Sequence, residues 1–190
     1  MIKILAFTGS GRKDSYNKKV LKVAAQGATE AGAEVTIIDL ADFDMPIFNE
    51  DLESKEGMHP GGQKFKELLI KHDGFLISSP EYNSSYSALL KNSIDWASRQ
   101  VAGEVPMQAY KGQVAGIMGA SPGALGGLRG LVNLRMLLEN IGVMVLPGQK
   151  AVGKVHTLLD DNGELADEKT QVALKNIGKE LVNTLSKLKA

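Results

Sequence analysis

The chain has 190 residues, with 22 basic and 22 acidic side chains and no cysteine. That length suits one domain, residues 1–190, with a substantial core. Balanced charge argues against a nucleic-acid partner, the missing thiols exclude disulfides and thiol catalysis, and the scattered His59, His72 and His156 offer no metal-ligand spacing.

"IKILAFT" (2–8) reads as a buried strand, a short apolar run with polar punctuation. Val20, Leu21, Ala24 and Ala28 then form a helical stripe that stops at Gly32. "VTIID" (35–39) is a second strand. The connection over 40–60 exceeds the ~12–15 residues beyond which loops tend to be functional or disordered. Its Met45, Pro46, Ile47 and Phe48 suit either a cover over a site or a satellite core. Phe65, Leu68 and Leu69 mark a helix, and "GFLISS" (74–79) a third strand. Leu89, Leu90, Ser93, Ile94, Trp96 and Ala97 predict another helix, followed by "QVAGIMGA" (113–120) as a strand. Leu128, Leu131, Val132, Leu134, Leu138 and Ile141 predict a helix, and "GVMVLP" (142–147) the fifth strand. After a hairpin-like or irregular stretch, a last helix places Ala173, Ile177, Leu181, Leu185 and Leu188 on one face, with Asp167 as its cap.

Strands alternating with helices, and strands apolar throughout, predict a parallel sheet covered on both faces. The expected fold is α/β, a doubly wound three-layer sandwich with five strands, and ligands in such sheets sit beyond the carboxyl ends of the strands. No apolar run reaches the ~20 residues of a membrane helix. "MIKILAF" is too short for a signal peptide, so a cytoplasmic location is expected.

The loop "TGSGRKDSYNKK" (8–19) does not read as a P-loop. Gly9 and Gly11 begin a dinucleotide fingerprint, and Asp39 stands where a ribose-binding acid would, but position 14 is Asp instead of the third glycine. Ser10, Ser15 and Asn17 with the Arg12 fork, at a helix start, suit a phosphate monoester. Ser15 or Asp14 as a plain helix cap, with Arg12 solvated, fits the same residues. "SSPEYNSSYSALLKNSIDWASR" (78–99) follows the third strand, where a polar, aromatic loop suits a flat heterocycle. On the following helix Asp95 and Arg99, like Lys91 and Asp95, are four apart. With Trp96 between them, a subunit contact and a core position are both open.

"GSGRKDSYN" together with "PEYNSSYSALLKNSIDW" resembles the NADPH-dependent FMN reductase family, the flavodoxin-like quinone, azo and chromate reductases. The resemblance covers nearly the whole chain. It departs at Ser87, where many relatives carry proline, which predicts a looser helix start. It implies that Ser10, Arg12, Ser15 and Asn17 hold the FMN phosphate. Pro80, Glu81, Tyr82, Asn83 and Ser84 would line the isoalloxazine. The loop "SPGALGG" (121–127), with Ser121, Gly123 and Gly126, would close the other ring edge. The implied activity passes two electrons from NADPH or NADH through FMN to a small acceptor such as a quinone, free flavin, azo compound or metal oxyanion. No catalytic side chain, metal, nucleic acid or membrane is called for, and relatives form homodimers or homotetramers. The alternatives are a flavodoxin-type electron carrier and a flavin-free dehydrogenase.

Overall fold

A computed structural model describes residues 1–189. In chain order the elements are β1 (Lys3–Thr8), α1 (Tyr16–Glu30), β2 (Glu34–Asp39), α2 (Glu50–Glu56), α3 (Pro60–Lys71), β3 (Gly74–Ser78), α4 (Ala88–Ser98), β4 (Val114–Ala120), α5 (Leu128–Asn140), β5 (Met144–Val152) and α6 (Glu168–Leu188). Short 3-10 turns follow β2 (Leu40–Phe43) and β5 (Val155–Leu158).

The five strands are parallel, in the order β2-β1-β3-β4-β5. This is the flavodoxin-like doubly wound arrangement, and its order reverses between β1 and β3. Strand alternation sends Ile4, Ala6 and Leu76 into a core under α1 and α6. Leu5, Phe7, Phe75 and Ile77 enter a second core under α3, α4 and α5. The α1–α6 contact is close because a Cβ at Gly178 would lie 2.1 Å from Ala24 O.

Several expectations need correction. The 40–60 connection contains α2, a seven-residue charged helix with no apolar periodicity to announce it. β5 runs on to Val152, past a register shift opposite Ala115 and Ile117. On α6 the buried stripe is Leu174, Ile177, Gly178, Leu181, Val182 and Leu185. Ala173 is only half-buried and Leu188 is exposed, because a strict four-residue spacing drifts off a 3.6-residue helix. The Asp167 cap does form, accepting from Thr170 N–H at 2.8 Å.

Trp96 is fully buried by its own chain. Its indole N–H donates to Pro46 O at 2.8 Å, and Phe48 meets it edge to face at 5.1 Å. Arg99 lies beyond the last residue of α4 and pairs with Glu53 at 2.8 and 2.9 Å rather than with Asp95. The Lys91–Asp95 pair does form, at 2.7 Å. Trp96 therefore takes the core position of the two that were open, with Pro46 and Phe48 packed on α4 and Ile47 exposed.

Candidate functional site

The carboxyl ends of β1, β3 and β4 bring three loops together: 9–15, 79–87 and 121–127. Two side chains knit this rim. Asn17, buried in the first turn of α1, accepts from Ala120 N–H at 3.0 Å and Ser78 Oγ–H at 2.9 Å, and donates to Ala120 O at 3.1 Å. It thus ties α1 to β3 and β4, and most of its side-chain hydrogen-bonding capacity is spent within the protein. Ser87 caps α4, accepting from Leu90 N–H at 3.2 Å, and donates to Gly9 O at 2.6 Å. The expectation of a loose helix start is overturned, because serine is a good cap where proline would offer no hydroxyl.

In the first loop, Ser15 is the N-cap of α1, accepting from Asn17 N–H at 3.2 Å, and Ser10 is buried beside Thr8. Gly11, Arg12 and Lys13 are exposed, and Arg12 makes no ion pair among the described residues. The backbone N–H groups of residues 11–16 meet no protein acceptor among the described residues. A run of free N–H groups at a helix start, flanked by a guanidinium and an ammonium, is a ready anion site.

In the second loop, Tyr82 and Ser85 exchange two backbone hydrogen bonds, at 2.8 and 3.0 Å. Between them Asn83 (φ 50°) and Ser84 (φ 70°) make a two-residue turn with both centres left-handed. Pro80 is half-buried, while Tyr82 is 53% exposed. Glu81 does not face outward. Its carboxylate accepts from the N–H groups of Arg129 and Gly130, both at 3.1 Å, and pairs with the Arg129 side chain at 2.6 Å. Burial works against its charge, but the bonds from Gly130 and Arg129 prevail and hold the carboxyl below the usual glutamate range.

In the third loop, Ser121 Oγ accepts from Gly123 N–H at 3.1 Å. Gly126 is pressed against its own chain: at φ 62° a Cβ there would lie 2.4 Å from Gly153 N. Its missing side chain serves that contact. Glu81, Ser121, Gly123, Ala124, Leu125, Gly127 and Arg129 line a cleft of about 240 Å³. The N–H groups of Glu81, Ala124 and Leu125 in its lining, and those of Asn83 and Ser84 in the neighbouring turn, meet no protein acceptor among the described residues.

A second cleft, of about 250 Å³, lies between α1 and β2 and reaches Asp39. Asp39 caps the turn after β2, accepting from Ala41 N–H at 3.0 Å, and pairs with Lys18. The acid that stood in a ribose-reading position is thus engaged within the protein. Among the described residues no cluster of His, Cys, Asp or Glu could hold a metal, and no helix is long and apolar enough to cross a membrane.

Sequence reasoning misread Ser87 and did not reach Arg129 or Asn133, the last donating to Ser84 O at 2.6 Å. Position 127, a glycine before a helix with no capping side chain of its own, was the one sequence signal that a distant acid was needed.

The family model for NADPH-dependent FMN reductase matches residues 2–157. An NAD(P)H-dependent FMN reductase of Pseudomonas aeruginosa is 34% identical over 171 residues, covering 90% of this chain and 88% of that protein. A quinone reductase of Pseudomonas putida is 31% identical over 167 residues, covering 87% and 85%. Among solved structures, FerB, a flavoenzyme NAD(P)H:(acceptor) oxidoreductase from Paracoccus denitrificans, superposes with a TM-score of 0.81 at 28% identity, covering 98% of each chain.

Proposed function

The chain belongs to the NADPH-dependent FMN reductase family, and on that premise we propose how its three loops serve the reaction. It is an FMN-dependent oxidoreductase that takes electrons from NAD(P)H and delivers them to a small acceptor of the quinone or flavin type. Residues 1–190 act as one flavin-binding domain. FMN held by these loops would supply two-electron transfer chemistry between the nicotinamide and the acceptor.

The observation that carries the site assignment is the run of free N–H groups over 11–16 beside Arg12. These groups, with Ser10 and the capping Ser15, would hold the phosphate. Asn17 would act from behind, fixing the distance between this loop and the other two. Pro80, Tyr82, Asn83 and Ser84 would line the ring, with Glu81 contributing its backbone N–H. Ser121 and Gly123 would close the far edge, and Gly126 would shape that loop. The free N–H groups around the cleft are preorganised donors for negative charge on the reduced ring. No side chain need move a proton, in keeping with a rim that has no His, no Cys and no pair of free carboxylates.

The acceptor's identity, including azo compounds and metal oxyanions, and the choice between NADPH and NADH belong to experiment. Apo-protein titrated with FMN should bind it one to one, then oxidise NAD(P)H steadily with quinone or free flavin. Steady binding without turnover on any acceptor would instead mark an electron carrier. A cytoplasmic location accords with a nicotinamide-dependent reductase. A homodimer or homotetramer is part of the same reading, with the contact moved from Trp96 to α5. There Leu128, Val132 and Met136 are exposed one helical turn apart, at 43, 60 and 64%. Val132→Asp should lower the mass seen by light scattering, and a monomeric unmutated protein would remove this part.

A further inference from the structure

We propose that Glu81, through Arg129, is a positioning residue that makes the 80–85 turn and the 121–127 loop one rigid rim, setting both ring affinity and flavin potential. The inference rests on the flavin-site reading above.

The start of α5 cannot cap itself. Its N-cap is Gly127, at φ 91°, with no side-chain hydrogen bond. Glu81, 48 residues earlier, supplies the missing cap with one oxygen while the other takes the Arg129 Nε–H at 2.9 Å. The carboxylate thus meets the helix dipole, two backbone donors and a guanidinium together. Its side chain is 10% exposed, so water cannot readily replace those partners.

The turn is seated flush on the helix. A Cβ at Gly130 would lie 3.0 Å from Ser85 O and 3.3 Å from Glu81 Cβ. Asn133 holds the turn's far side through Ser84 O. Asn83 and Ser84 keep left-handed conformations without being glycine, as happens when the surroundings over-determine a strained turn. The Glu81–Arg129 pair joins this turn to the start of α5, which continues directly from the 121–127 loop and its free Ala124 and Leu125 N–H groups. Loosening the pair lets the two sets of donors move apart.

The test uses purified apo-protein and its E81Q, R129M and G130A variants. Dissociation constants for riboflavin and FMN come from flavin fluorescence, the midpoint potential of bound FMN from redox titration, and fold integrity from circular dichroism. E81Q is expected to weaken riboflavin and FMN by one common factor, on the order of tenfold. Its unpaired guanidinium should raise the potential by favouring the more negative reduced ring. R129M leaves an unpaired carboxylate and should lower the potential. G130A changes no charge, and should weaken both flavins with the potential nearly unmoved. If E81Q does not fold, R129M and G130A still decide between these outcomes. Unchanged flavin affinity in every folded variant, or potentials of E81Q and R129M moving in the same direction, would overturn the proposal. Failure of the unmutated protein to bind either flavin would instead overturn the flavin site itself, and the proposal with it.

Discussion

The loops at the carboxyl rim and the 40–60 connection are both long and polar, and both leave backbone N–H groups free among the described residues, Met45, Ile47 and Asn49 among them in the connection, but they differ in what side chains do around them. In the connection the side-chain donors close inward. Asn92 accepts from Phe48 N–H at 2.7 Å and donates to Pro46 O at 2.8 Å, Trp96 donates to Pro46 O, and Arg99 takes Glu53. At the rim, residues 11–16 and the centres of the 82–85 turn keep N–H groups free, and Arg12 is unpaired among the described residues. A loop tied inward by side chains of the helix beneath it is packing; a rigid loop that sets open N–H groups beside an unpaired cation at a helix start is prepared for an anion.

The sharpest separation comes from Trp96→Ala. It empties a buried site and removes one of the two donors to Pro46 O, so it should cost about 3–5 kcal/mol in urea unfolding. The ratio of FMN to riboflavin affinity should stay unchanged; a shift in that ratio would break the division between the two regions. Asn17→Ala lies at the rim but removes three internal bonds. Roughly 2–4 kcal/mol of stability should be lost, given the cost of stranding buried partners. A variant that loses FMN affinity at full stability would make Asn17 a ligand rather than a frame.

Arg12→Ala should do the reverse. Stability should move by less than about 0.5 kcal/mol, while FMN binding weakens by ~1.5–3 kcal/mol, the range for a charge-assisted hydrogen bond. Riboflavin affinity should hold, and equal losses for both ligands would remove Arg12 from the phosphate. Ser84→Gly should stabilise the protein by ~0.5–1 kcal/mol, by relieving a left-handed serine. No gain in melting temperature would show the turn to be unstrained.

A segment outside both regions, between α4 and β4, sets an acid sensitivity of its own. Glu104 is held below the usual glutamate range: burial opposes its charge, but Lys66 and Val101 N–H outweigh it. A lowered carboxyl contributes stability that is complete above the unfolded value of about 4.3 and lost as pH falls through the folded value. Glu104→Gln should therefore flatten the acid limb of the stability curve below about pH 4.3. An unchanged acid limb would separate Glu104 from it.

The strands and the rim loops were legible in sequence because their signals are local: apolar runs, a helix start beside Arg12, and a two-motif resemblance. Their internal ties were not. Asn17 reaches Ala120, 103 residues away, and Glu81 reaches Arg129, 48 residues away, so neither partnership leaves a local pattern. The resemblance assigns both residues to the cofactor, and the structure adds an internal use of their side chains that no local pattern announces. Trp96 left two readings open for a related reason, since an aromatic between charges suits a subunit contact and a self-covered core equally well.

The most direct test is amide hydrogen exchange of the protein with and without FMN. Added protection should appear over residues 9–17, 80–86 and 121–128, and leave residues 45–59 unchanged. Protection concentrated in 45–59, with the three rim loops exchanging as before, would contradict the account.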